Sequence, residues 1–198
     1  DSSIVPRQNV AVHHQPIETG PGVQPYIQGQ GDGTLEQFRS YVNLPNGPGW
    51  ATQDNGPNKF DVIIDDGRAR VPVSSFVKSA ELLAPGGVLL IHDWDRDIYK
   101  PALQEYVEVR VDSSGRLGVL QPREDTGIGN TASGVVPQPL DDGGQRCIAD
   151  FYQHMDTNNG HSVFTPGKTV MMENSGVELL CGLLTPTTRV LEWGSGGS

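Results

Sequence analysis

The sequence predicts an α/β fold: a doubly wound, mostly parallel sheet with an antiparallel hairpin at one edge. Three observations predict it. FDVIID (60–65) and GVLLIHDW (87–94) are short continuous apolar runs, the pattern of strands buried on both faces. Between them, Val73, Phe76, Val77, Ala80 and Leu83 recur at helical spacing. After them, YVEVRVDS (106–113) and RLGVLQP (116–122) alternate around Ser114-Gly115, which reads as a hairpin. Strand, helix, strand and hairpin make a βαβ unit with an antiparallel end.

The other elements follow in chain order. NVAVHHQPI (9–17) reads as a strand, and TLEQFRSYVN (34–43) as a helix with Thr34 near its cap. Segments 18–33 and 43–59, rich in Gly, Pro, Asn and Gln, read as loops. Pro85-Gly86-Gly87 is expected to end the helix that begins near Val73. Asp97 to Tyr106 suits a short helix. Residues 124–145 have almost no apolar periodicity and read as a connector. RCIADFYQHM (146–155) and NSGVELLCGLL (174–184) read as helices, the second with Ser175 as its cap. RVLEWGSGGS (189–198) reads as a strand running into a glycine-rich turn.

The chain has 198 residues, enough for one domain, and 25 Gly with 15 Pro account for its long loops. Only 14 Lys and Arg stand against 24 Asp and Glu, a net charge of -10. No basic stripe exists to hold nucleic-acid phosphates or an anionic membrane surface, so neither is expected as a partner. No apolar stretch reaches the roughly 20 residues that span a bilayer, and the N-terminus lacks a signal-peptide pattern. Cys147 and Cys181 lie in apolar helical patterns and belong to no CxxC pair. They are expected to be buried thiols in a reducing, cytoplasmic setting, with a disulfide as the minority alternative.

Two constellations carry chemistry. The strand VLEWG is followed by Ser195, Gly196 and Gly197, and such glycines let a backbone approach a nucleotide-type cofactor closely. A terminal GSGGS is also an ordinary linker. The two parallel strands of the central block end in acids, Asp65-Asp66 and His92-Asp93 with Asp95. Ligands of open α/β sheets sit outside the carboxyl ends of strands, so these groups are expected to converge. Simple solvation of strand ends is the plainer alternative. His13 and His14 lie on one strand, so at most one of them faces any pocket, and His154 and His161 suit a metal pair only by their proximity in sequence. Arg68 and Arg70 suit either an anion or a surface salt bridge.

DVIIDDGRAR, LLAPGGVLLIHDW, RDIY and the following hairpin resemble the second half of class I S-adenosylmethionine-dependent methyltransferases, which have a Rossmann-like fold. RVLEWGSGGS is similar to the first motif of the same family. The two matches cover roughly residues 60–123 and 174–198. Their order is inverted, since the family places the glycine motif first, and its second, ribose-holding strand has no counterpart here. The alternatives are a circularly permuted domain, two partial domains, or a gap between Ser198 and Asp1. The favoured reading is one domain over 1–198, permuted or gapped, with 124–145 as a loose connector joining 1–123 to 146–198.

The resemblance implies methyl transfer from S-adenosylmethionine to an oxygen or nitrogen nucleophile, with a small molecule as acceptor. It places Glu192, Gly194, Ser195 and Gly196 at the methionine and ribose part of the cofactor. It places His14 and Gln15 near the adenine and Asp65 among the cofactor-binding residues, with Asp65 and Asp66 facing the transfer centre and Asp66, His92 and Asp93 as the catalytic candidates. Some members hold a divalent metal such as magnesium at these strand ends, and the matching positions are Asp66, His92 and Asp93. His92 is alternatively the general base, because its ordinary pKa lies near neutrality. The rivals are a catalytically inactive methyltransferase-like binding module and, with less support from the spacing of its glycines, a dinucleotide-dependent oxidoreductase.

Overall fold

The computed structural model describes residues 17–27, 31–43, 59–123, 174–184 and 188–194. The strand expected at 9–17 (apart from Ile17), the connector 124–145 and the helix 146–155 lie outside the described residues. So do His14, Gln15, Ser195 and Gly196.

The described residues form an α/β structure around an open, five-stranded mixed sheet. In chain order, α1 is Arg39–Val42, β1 Phe60–Asp66, α2 Arg70–Ser79 and β2 Leu83–His92. A 3-10 helix, Asp97–Gln104, leads to β3 Tyr106–Val111 and β4 Leu117–Pro122. Then follow α3, Asn174–Cys181, and β5, Val190–Gly194. The strand order is β3-β4-β2-β1-β5. β1 pairs in parallel with β2 on one side and β5 on the other, while β4 is antiparallel to both β2 and β3. β4 alone therefore runs against the rest.

The two faces of the sheet bury separate cores, as period-2 alternation requires. Ile63, Leu89, Ile91 and Trp193 join Val73 and Val77 of α2, with Trp94, Tyr99 and Tyr106, on one face. Val62, Ile64, Val88 and Leu90 join Leu117, Val119 and Leu179 of α3 on the other. β2 is thus buried on both sides, which is why Val88 to Ile91 is a continuous apolar run. β5 is adjacent and parallel to β1. However, it lies at the sheet's edge among the described residues, and only its Trp193 is buried.

Several elements begin or end elsewhere than their local sequence indicates. α2 starts at Arg70, three residues before Val73, because Asp32 supplies its cap from far away in the chain. The Ala69 N–H donates to the Asp32 carbonyl at 2.8 Å, and the Arg70 N–H donates to the Asp32 carboxylate. α2 stops at Ser79 through a left-handed Glu81 (φ 50°), with the Leu82 N–H returning to the Val77 carbonyl. Pro85-Gly86-Gly87 consequently does not end the helix. It forms an irregularity inside β2, where the partner of Phe60 is Leu83 but that of Val62 is Val88. A Cβ on Gly87 would lie 2.8 Å from the Phe60 carbonyl oxygen, so the close approach there requires glycine.

The region 34–43 is mostly turn, and only Arg39–Val42 is helical. Ser175 lies within α3, and its hydroxyl donates to the Asp112 carboxylate instead of capping the helix. The same carboxylate accepts the Leu117 N–H at 2.8 Å, so Asp112 ties the hairpin turn to α3. Cys181 is buried and disulfide-bonded, which corrects the expectation of two free thiols. Its apolar helical setting looks the same for a thiol and for a half-cystine. The chain's other cysteine, Cys147, lies outside the described residues. Disulfides belong mostly to oxidising compartments, so the expectation of a reducing setting loses its support. Among the described residues, no helix is long and apolar enough to cross a membrane.

Candidate functional site

Parallel pairing brings the carboxyl ends of β5, β1 and β2 to one edge of the sheet. Ile64 is level with Glu192, and Asp66 with Gly194. Glu192, Asp66 and His92 therefore share one face, while Asp65, level with Ile91 and Trp193, belongs to the other. The His92 Nδ1 lies 2.9 Å from Asp66 Oδ1. The imidazole is 2% exposed, and among the described residues neither ring nitrogen has a well-aligned hydrogen-bond partner. The sequence places His92 beside Asp66 only through strand register, and the structure brings the two into contact.

Asp65 is fully buried, and neither carboxylate oxygen has an aligned partner among the described residues. Burial pushes its carboxyl well above the ordinary aspartate value, and the Arg70 charge offsets only part of that. The folded protein thus holds a proton on Asp65 at pH values where the unfolded chain has lost it. This contribution to stability is present below the ordinary aspartate pKa and is lost as pH rises toward the folded value. Asp65→Asn, which cannot ionise, is expected to gain stability over the parent as pH is raised from 4 to 8. Urea denaturation of both proteins across that range checks this, and a parent–variant difference independent of pH would refute it.

Asp93 sits just past β2 in a left-handed conformation (φ 58°) that a non-glycine residue seldom adopts. Its carboxylate accepts from Arg116, meets Arg96 Nη2 at 3.0 Å and lies 3.7 Å from Arg70 Nη2. Burial pushes its carboxyl up, but the Arg116 hydrogen bond and the His92, Arg96 and Arg70 charges outweigh this and hold it below the usual value. Asp93 Oδ1 also lies 3.6 Å from His92 Nδ1, but the Asp93 carboxylate is engaged by arginines. Among the described residues, no three His, Cys, Asp or Glu side chains are grouped to hold a metal.

The centre of the site is Arg70, a side chain that the sequence leaves undecided between anion and salt bridge. Its guanidinium is 4% exposed and lies 2.8 Å from Asp32 Oδ1 and 3.2 Å from Asp66 Oδ1. It also donates to the Tyr99 hydroxyl, with Cζ 4.8 Å from the centre of that ring. The Tyr99 hydroxyl in turn donates to Asp32 Oδ1 at 3.1 Å. Asp32, Tyr99 and Arg116 are thus site residues that sequence reading missed. The i,i+4 spacing of Asp66 and Arg70 is the one local signal of this network. Glu192, exposed at the edge, has its carboxyl raised by partial desolvation and by the negative charge of Asp66. On the opposite face, a Cβ on Gly67 would overlap the Tyr41 hydroxyl, so this glycine admits Tyr41 to the end of β1.

A shallow hollow of about 330 Å³ adjoins the network, lined by Pro25, Tyr26, Ile27, Asp32, Gly33, Thr34 and Gln37. The Arg68 guanidinium lies over the Tyr26 ring, 5.4 Å from its centre.

Comparison of the chain with protein-family models, with curated proteins and with solved structures finds no match.

Proposed function

We propose that the chain is a class I, S-adenosylmethionine-dependent methyltransferase domain that acts on an oxygen or nitrogen nucleophile of a small molecule. The observation that carries this reading is the parallel pairing of β5 with β1, which sets the glycine-ended strand beside the acid-ended one. Had these strands belonged to separate sheets, the resemblance of their motifs would mean little. The single reversed strand, β4, fits a Rossmann-like methyltransferase sheet with its antiparallel hairpin.

The residues at the strand ends suit the cofactor. Glu192 and Gly194 stand at the open end of β5, and buried polar groups without aligned partners, Asp65 and His92, lie at the ends of β1 and β2. On this reading Glu192 and Gly194, with Ser195, Gly196, His14 and Gln15, hold the cofactor. Bound there, S-adenosylmethionine would supply a methyl group activated by its sulfonium.

The chain's own work is positioning and proton removal. Once the ring turns to align Nδ1–H with Asp66 Oδ1, 2.9 Å away, the lone pair of Nε2 is left to take the proton of the attacking hydroxyl or amine. Asp66 fixes this tautomer and stabilises the resulting imidazolium, and Arg70 holds Asp66 in place. Water exclusion follows from the burial of His92 and Asp65.

Calorimetry of the whole chain with S-adenosylhomocysteine is the direct test. Saturable binding is expected, weakened at least about tenfold in Glu192→Ala through the loss of a charged hydrogen-bonding group. No binding, or binding indifferent to Glu192, would remove the assignment. Binding without any detectable transfer would favour the inactive binding module.

A further inference from the structure

We propose that the hollow beside Arg70 binds the methyl acceptor as a small planar carboxylate, with Tyr26 as its stacking wall and Arg68 as its anion anchor. This rests on the transferase reading given above. The first observation is charge. The site arginines Arg70, Arg96 and Arg116 each meet a carboxylate, whereas Arg68 meets none among the described residues. Arg68 is only half-buried and is held against the Tyr26 ring. In a chain of net charge -10, a guanidinium that meets no acid among the described residues and lies over the ring of Tyr26, a residue of the hollow's lining, is an anion-binding feature.

The second observation is the chemistry of the lining. Pro25, Tyr26 and Ile27 offer an apolar and aromatic wall, and Ile27 is 55% exposed. Asp32, the acid of the hollow, has its charge balanced by Arg70 and its oxygens occupied by Arg70 and Tyr99. It therefore opposes a carboxylate less than an unpaired aspartate would. Tyr26 is braced edge-on by Phe38, with ring centres 5.2 Å apart, so the wall is pre-positioned. A volume of about 330 Å³ is at the small end of ligand sites and suits a single ring with its substituents.

The third observation is connection. Asp32 lines the hollow and is 2.8 Å from Arg70, which is itself 3.2 Å from Asp66. The hollow is thus linked to the strand ends through the Asp32–Arg70–Asp66 chain of contacts.

The test uses the full chain and three probes, benzoate, benzamide and 4-hydroxybenzoate, followed by ligand-observed NMR. Benzoate is expected to bind about tenfold more tightly than its neutral isostere benzamide. Arg68→Gln should erase that preference, and Tyr26→Ala should weaken both probes. Arg68→Gln should leave the affinity for S-adenosylhomocysteine unchanged; a loss there would assign Arg68 to the cofactor carboxylate and overturn the proposal. Equal binding of benzoate and benzamide, or no binding of any probe at about 10 mM, would overturn it as well. Binding needs neither cofactor nor turnover, so it is separable from the transferase reading. Arg68-dependent binding of 4-hydroxybenzoate without methylation, in a chain that binds S-adenosylhomocysteine, would overturn the hollow's role as acceptor site, while the transferase reading falls only with the loss of S-adenosylhomocysteine binding.

Discussion

Arg70→Met is expected to destabilise the protein by about 3–5 kcal/mol, the cost of removing one partner from a buried charge network. The guanidinium is 4% exposed and faces Asp32, Asp66 and Asp93, whose side chains are 12%, 20% and 10% exposed. Methionine fills much of the volume, so the loss is electrostatic more than a matter of packing. Asp32 would then cap α2 as an unpaired, partly buried anion. Urea denaturation measures the effect, and adding Asp32→Asn to Arg70→Met should recover part of it, as a double-mutant cycle would register. Lysine should restore stability only partially, because one ammonium cannot reach Asp32, Asp66 and Tyr99 with the guanidinium's geometry. A loss below about 1 kcal/mol would mean that the network behaves as a surface salt bridge.

The second large effect is on turnover. His92→Ala is expected to lower it by about 10²–10⁴-fold, the usual share of a positioned general base. Asp66→Ala should reduce it in the same direction through loss of imidazole orientation. Circular dichroism and thermal melts establish that each variant is folded before its rate is compared. The two substitutions act on one unit, so the double variant should be little slower than His92→Ala alone. Full activity in both single variants at saturating substrate would place the proton acceptor elsewhere. A chelator should leave the parent's rate unchanged, since Asp93 is held by arginines and, among the described residues, no group of three such ligands is assembled.

Much of this architecture is legible in particular residues. FDVIID and GVLLIHDW announce a pair of strands buried on both sides because Val62–Ile64 and Val88–Ile91 run apolar without a break up to the polar ends. Gly115, with φ 79°, marks the hairpin as Ser114-Gly115 suggests. The acids at the strand ends are legible for the same reason, since parallel strands of one βαβ unit must end at the same edge. What escapes the sequence is set by distant partners. The start of α2 depends on Asp32, 38 residues away, and the orientation of Asp93 depends on Arg116, 23 residues away. Pro85-Gly86-Gly87 is misleading because the same residues that stop a helix also permit an irregular strand. No spacing rule tells a buried thiol at Cys181 from half of a disulfide.

The placement of β5 has a consequence for how the protein folds. Within β1 and β2, Val62 pairs with Val88, only 26 residues on, whereas Arg189 at the entry to β5 hydrogen-bonds Asp61 across 128 residues. By loop-closure entropy the longer closure costs about 1.4 kcal/mol more, before any contact compensates for it. The four strands between Phe60 and Pro122 form a contiguous, low-separation unit, and β5 docks onto it last, through one strand edge and the Trp193 side chain. The glycine-ended strand is then also the first to leave. Its amides should exchange with solvent at a lower opening free energy than those of β2, a difference that native-state hydrogen exchange reads directly. The region assigned to the cofactor would therefore be the least stable part of the sheet without ligand, and binding there would raise the stability of the whole domain by mass action.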